Sequence, residues 1–206
     1  MKKLFMMISC LTMLVGLSGC SVPRTLSPLE TDKPMDGAFM AGKWQCITFD
    51  KDKQTQIGDL DINWNQEWKK LTFDLYNIKP DGKEPKPGDP TRLLPLKGTL
   101  YELDGECFLN LTIAEKALEK ILAKSGYGDC GLLVRSYMIM KVKNEKEMIT
   151  LSLVDYDKQH PRYHENENAK VVIGSVDDIR EIFKNKAYKS EPLFLLKRVP
   201  APTPGK

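Results

Sequence analysis

Apolar and polar positions alternate with a period of two along much of this chain. In residues 57–64, Leu60, Ile62 and Trp64 fall on one side and Asp59, Asp61 and Asn63 on the other. In residues 71–76, Leu71, Phe73 and Leu75 share a side. Such alternation marks strands with one dry face and one wet face, the habit of antiparallel sheets. Residues 42–50, rich in β-branched and aromatic types, form the opening strand of this region. Residues 96–103 and 106–111 flank Asp104-Gly105, a two-residue turn signal, and predict a hairpin. A second hairpin is predicted from residues 132–142 and 148–154, turning through residues 143–146. In its first arm Val134, Ser136, Met138, Met140 and Val142 share one face, and Leu133, Tyr137 and Ile139 the other. In its second arm Ile149, Leu151 and Leu153 oppose Thr150, Ser152 and Val154. Both arms therefore read as partly buried on both faces.

Two stretches switch to helical spacing. Thr112 and Glu115 form a capping box, and Ile113, Ala117, Leu118, Ile121 and Leu122 follow as one apolar stripe that stops at Ser125-Gly126. After a short strand at 170–174, Ser175 and Asp178 repeat the capping pattern. Val176, Ile179, Ile182 and Phe183 make the inner stripe, and Lys184 and Lys186 suit the helix C-terminus. Residues 192–199 close the domain as a strand. Between them, residues 77–95 carry five prolines and read as a long loop. The count is about eight strands and two short helices, with no repeat, no phosphate-binding glycine loop and no βαβ rhythm. Eight antiparallel strands with one dry face can close into a barrel and so lose their edges. The expected fold is mainly β, an antiparallel barrel over residues 42–199, with a β-sandwich as the other solution.

The first 20 residues obey different rules. Lys2 and Lys3 precede an apolar run from Leu4 to Val15, and Gly16, Ser18 and Gly19 lead to Cys20. The run falls short of the roughly 20 apolar residues a spanning helix needs, and no stop-transfer charges follow it. The layout is that of a secretory signal peptide covering residues 1–19. Leu17-Ser18-Gly19-Cys20 resembles the lipobox of bacterial lipoproteins. The resemblance implies cleavage between Gly19 and Cys20, acylation of Cys20, and attachment to membrane lipid through acyl chains. Two or more inserted chains, at about 0.8 kcal/mol per methylene, hold a protein stably on a leaflet. Ser21, by the same resemblance, implies onward export to the outer membrane. Residues 20–41, with Pro23, Pro28 and Pro34, read as the lipidated cysteine and a flexible tether, and residues 200–206 as a Pro-spaced tail.

Charge narrows the partners. The 31 Lys and Arg of the full chain fall to 29 once residues 1–19 are removed, against 28 Asp and Glu, which leaves a net charge of about +1. No basic patch with interleaved aromatics appears, so nucleic acid is not an expected partner. An exported chain meets oxidising conditions, and Cys46, Cys107 and Cys130 leave room for one disulfide and one thiol. Cys107 with Cys130 is the first pairing to test. His160 and His164 stand four apart near Glu165 and Glu167, but Pro161 breaks the helix that would align them, so a polar linker and no metal site is the reading. No serine elbow is present, and Asp59, Asp61 and Asp74 suit a solvated strand face as well as a carboxylate pair. No enzymatic activity and no cofactor are expected. Trp44, Trp64, Trp68, Met138 and Met140 are candidates for lining a cavity, since aromatics and adaptable methionines suit apolar ligands. The competing expectation is a barrel packed solid.

Gly42-Lys43-Trp44 is similar to the Gly-x-Trp opening of lipocalin-type barrels. Residues 133–199 resemble a group of bacterial lipoproteins with lipocalin-like barrels, in the strand ending Tyr137-Met-Ile-Met-Lys141, the capped Ser175-Val-Asp-Asp-Ile-Arg-Glu-Ile-Phe183, and the closing Pro192-Leu-Phe-Leu-Leu-Lys-Arg198. The resemblance implies a fold and no activity. Two functions then stand in view: a non-enzymatic binding module for a small apolar or amphipathic ligand, and an envelope interaction protein that touches another protein or the cell wall through residues 77–95 and 156–169.

Overall fold

A computed structural model describes residues 23–31, 34–50, 53–76, 96–114, 136–166 and 169–200. The expected leader, Gly19, Cys20, the loop expected at 77–95, the helix expected from Glu115 onward, Cys130 and the tail expected from 201 lie outside the described residues. The strands are β1 (Pro23–Thr25), β2 (Gly42–Asp50), β3 (Lys53–Asn65), β4 (Lys70–Tyr76), β5 (Leu96–Leu103), β6 (Glu106–Ile113), β7 (Met138–Glu145), β8 (Met148–Tyr156), β9 (Tyr163–Asn166), β10 (Ala169–Val172) and β11 (Tyr188–Arg198). A 3-10 turn (Ala38–Met40) precedes β2, and one helix, α1 (Val176–Lys184), precedes β11.

Eight of these strands close an antiparallel barrel in the order β11-β2-β3-β4-β5-β6-β7-β8. This is the expected architecture, and it is consistent with the lipocalin-like barrel that the Gly-x-Trp opening implied. The alternating faces fall as their period requires. Leu60, Ile62, Leu71, Phe73 and Leu75 turn into the barrel core, joined by Met138, Met140, Val142, Ile149 and Leu151. Each large aliphatic side chain taken fully out of water contributes roughly 1.5–3 kcal/mol, so the register of every strand is held by its inward set.

The opposite face of β6, β7 and β8 is buried too. Phe108, Ile139, Val154 and Tyr156 pack on Ile179, Ile182 and Phe183 of α1, with Val172 and Leu29, in a second core outside the barrel wall. Phe183 meets Phe108 edge-on, their ring centroids 4.9 Å apart. The helix begins as its capping box dictates: the Asp178 amide donates to the Ser175 hydroxyl at 3.2 Å, and the Ser175 amide donates to the Asp178 carboxylate at 2.7 Å. The bond from the Ser175 amide, then one from the Ser175 hydroxyl at 2.8 Å, with Arg162 nearby, hold the Asp178 carboxyl below its usual range.

Several local expectations are corrected. Thr112 is not a helix cap: β6 continues to Ile113, Thr112 pairs with Lys97, and its hydroxyl donates to the Ser136 carbonyl at 3.2 Å. The ladder with β5 outcompetes the local capping signal. The second hairpin turns at residues 146–147 rather than 143–146, because Val142, Lys143 and Asn144 keep cross-strand partners on β8 and Lys146 takes the left-handed conformation. Residues 156–169 are not all linker, since β9 lies among them and pairs with β10. The fold also starts earlier than Gly42. In the stretch read as tether, β1 pairs in parallel with β10, and Thr25 and Leu29 are fully buried. Short segments of this kind carry no period, and only pairing to distant strands orders them.

Candidate functional site

The sequence singled out five residues as cavity lining, and the barrel sorts them. Trp44, Met138 and Met140 are buried in the core. Trp64 is half-buried against it, with the Lys69 ammonium 5.8 Å from its ring centroid. Trp68 is corrected: it sits in the turn between β3 and β4 and is 64% exposed, lining nothing inside. Its strand's alternation ends at Asn65, and the Asn65 side chain accepts from the Trp68 amide at 2.9 Å to shape the turn.

Of the five, Met140 lines the interior void, and that void is small. It measures about 40 Å³ and is walled by Cys46, Leu60, Phe73, Leu111, Met140 and Phe194, among others, all apolar. One water molecule's share of the liquid is roughly 30 Å³. Small-molecule sites occupy some 300–1,000 Å³. Gly98 shows how tight the wall is: a Cβ built there would stand 2.7 Å from Leu109 Cδ1 and 2.8 Å from Phe73 Cε2.

One end of the barrel is plugged. The 3-10 turn carries Met40 into the core, and the Trp44 indole donates to the Met40 carbonyl at 2.8 Å. Arg198, at the end of β11, lies over the Trp44 ring 4.2 Å from its centroid. Its guanidinium donates to the carbonyls of Phe39 at 2.9 Å and Ala41 at 3.2 Å. Gly42 has a φ of 128°, and a Cβ there would stand 2.9 Å from the Arg198 guanidinium, so only glycine lets the chain enter β2 under that arginine. The arginine was not singled out from the sequence, though it pairs directly with Trp44 in the register of β11 on β2.

Two clefts lie on the outer wall instead. The first, about 230 Å³, runs between the amino-terminal segment and the sheet, with Glu30, Lys70, Lys97, Thr99, Tyr101 and Tyr137 in its lining. Burial, with the Glu30 carboxylate and Tyr137 nearby, raises the Tyr101 hydroxyl above its ordinary pKa. The second, about 530 Å³, is bounded by residues 155–159 after β8 and residues 186–189 before β11. In its lining, Asp155 Oδ1 and the Tyr156 hydroxyl are buried and meet no protein partner among the described residues. Buried polar atoms of this sort are completed by water or by a polar ligand.

No family model, curated protein or solved structure matches this chain.

The remaining candidates are placed as follows. Cys46 and Cys107 are free thiols, and Cys130 lies outside the described residues. Burial pushes the Cys46 thiol up to about 12, and burial with Glu102 nearby pushes Cys107 up to about 11. Neither resembles a thiolate nucleophile, which needs a depressed pKa. His160 lies in a turn where its Nδ1 accepts from the Arg162 amide at 3.3 Å, and His164 is exposed on β9. Among the described residues no three His, Cys, Asp or Glu side chains group as metal ligands. Asp61 and Asp74 do pair across β3 and β4, while Asp59 lies opposite Tyr76, and none of the three lines these cavities. No helix among the described residues is long and apolar enough to cross a membrane.

Proposed function

We propose that this protein is an exported lipoprotein, acylated at Cys20 and held at the bacterial outer membrane, that works as a non-enzymatic interaction protein through the outside of its barrel. The observation that carries the choice is the void of about 40 Å³ inside the barrel, too small for an ordinary ligand. An eight-stranded barrel is just wide enough to be filled by its own side chains, and Trp44, Phe73, Leu109 and Met140 fill this one. The surface relief lies outside, in the clefts against residues 155–159 and the amino-terminal segment. Residues 156–159 belong to one of the two loops that the sequence marked for contact with another protein or the cell wall.

A second reading, a carrier of a small apolar molecule, is favoured by the purely apolar character of the void and by Met140, a side chain of adaptable shape, in its wall. Native mass spectrometry of residues 21–206, exported without the acyl anchor, separates the two. A clean apo mass together with specific cross-links to an envelope component in intact cells supports the interaction reading. A retained apolar adduct that is lost on denaturation replaces it with the carrier.

A further inference from the structure

We propose that the anchored chain has no spacer: acylated Cys20 holds the small sheet β1-β10-β9 directly against the lipid leaflet, and the β3–β4 side of the barrel faces away from it. This rests on the lipid-anchor reading above and adds an orientation to it. Only Ser21 and Val22 separate Cys20 from Pro23. Three residue steps reach at most about 11 Å, even fully extended. A free tether of the 21 residues from Ser21 to Ala41 would instead average roughly 25 Å end to end and would let the domain tumble.

Pro23 is not a loose end. Pro23, Arg24 and Thr25 pair in register with Lys170, Val171 and Val172. Thr25 and Tyr137 exchange two backbone hydrogen bonds of 2.9 Å, and the Leu26 amide donates to the Val172 carbonyl at 3.2 Å. Further along, Leu29 is clamped by Asn110, whose side-chain oxygen accepts from the Leu29 amide at 3.2 Å and whose side-chain nitrogen donates to the Leu29 carbonyl at 2.5 Å. The Arg180 guanidinium then donates to the Glu30 carbonyl at 2.9 Å. Peeling this segment away to lengthen the tether would expose Leu29 and strand the buried amide of Asn110, so the anchor point stays at Pro23.

The neighbours of that point are fixed by register. Lys170 lies opposite Pro23 on one side and Glu165 on the other, and His164 lies opposite Val171. Alternation turns the Lys170 side chain inward with Val172, 18% exposed and 4.0 Å from the Asp155 carboxylate, so the outward positions His164 and Val171 become the lipid-proximal surface. In the closed ring, β3 and β4 stand four strands round from β7 and β8, which the small sheet adjoins. Of the chain's three tryptophans, Trp64 and Trp68 sit on β3 or in the turn after it, the far side, and Trp44 sits on β2, between β3 and β11.

That distribution supplies the test. The full-length acylated protein is reconstituted into vesicles of phosphatidylethanolamine and phosphatidylglycerol containing dansyl-labelled phosphatidylethanolamine, and tryptophan-to-dansyl energy transfer is read. The native chain should transfer weakly. H164W, at an exposed position on β9, should transfer several-fold more strongly, and V171W, opposite it on β10 and with folding checked by thermal melt, should do the same. Inserting 15 Gly/Ser residues between Val22 and Pro23 should return the H164W protein to the native level. Equal transfer from the native chain and both variants overturns the orientation, as does an unchanged signal after insertion of the spacer. Flotation is scored first: a native chain that does not float with vesicles, or a C20S chain that floats equally well, removes the anchor itself, so the two failures are distinguishable.

Discussion

Replacing Gly98 by alanine tests directly whether the barrel is filled. Gly98 lies on β5 with an ordinary negative φ, so alanine meets no backbone penalty there. Removing a glycine from a strand should by itself stabilise by about 0.4–1 kcal/mol, through the unfolded chain. Packing acts the other way. The new methyl would stand 2.7 Å from Leu109 Cδ1 and 2.8 Å from Phe73 Cε2, where carbon atoms prefer about 3.5–4.0 Å. Leu109 is fully buried and Phe73 nearly so, and the void beside Phe73 measures about 40 Å³. Overpacking of this kind costs roughly 1–3 kcal/mol, which outweighs the entropic gain. The expected net loss is about 1–2 kcal/mol, or a fall in Tm of some 2–8 °C for a chain this size. Thermal and urea unfolding followed by tryptophan fluorescence measure it, with T99A on the outward face of the same strand as control. A G98A protein as stable as the native one, or more stable, would mean that Leu109 and Phe73 have room to retreat. The interior would then be a cavity in waiting, and the preference for an outside interaction surface would lose its support.

Other outcomes follow from the same geometry. R198A removes two hydrogen bonds to the plug carbonyls and the cation over Trp44; it should cost about 1–3 kcal/mol in urea unfolding, with R198K recovering only part of the loss. Acid should weaken the outer core at Glu106, whose carboxyl is held low chiefly by its hydrogen bond from Lys141 and then by that from the Tyr188 hydroxyl at 2.8 Å. Because this pKa is depressed by folding, the stability it contributes is present above the ordinary carboxylate range and is lost as pH falls through the lowered value; the acid limb of a Tm–pH curve should flatten in E106Q, and an unchanged limb would refute the linkage. Cys46 should resist maleimide at pH 7 until the chain unfolds, while half-buried Cys107 should label slowly; rapid labelling of Cys46 in the native protein would contradict its burial. D178A should lose the capping box and destabilise by about 1 kcal/mol, read by urea unfolding.

Much of the barrel was legible in residue order because its causes are local. Alternation assigned Leu60, Ile62, Leu71, Phe73 and Leu75 to one face, and a pleated strand leaves no other option for side chains two apart. Asp104-Gly105 announced its turn because both residues tolerate positive φ, and they show φ values of 52° and 77°. Ser175 and Asp178 announced α1 through a bond that closes within four residues. The two-sided burial of β7 was visible in the run Met138-Ile139-Met140, although not what would cover its outer face. Thr112 misled for the same reason that Ser175 did not: identical cap chemistry loses when a neighbouring strand offers the backbone a full ladder.

The chain by itself therefore determined the barrel strands, their dry faces and one of the helix starts, all of which depend on spacings of two to four residues. Whether the barrel is hollow, where Arg198 rests, and that Pro23–Thr25 belongs to the fold were decided only by tertiary structure. Each depends on groups far apart in sequence: Gly98 against Phe73, Arg198 against Trp44, Thr25 against Tyr137 and Val172. No local pattern encodes such a meeting, because closing those loops is favourable only when the whole set of contacts forms together.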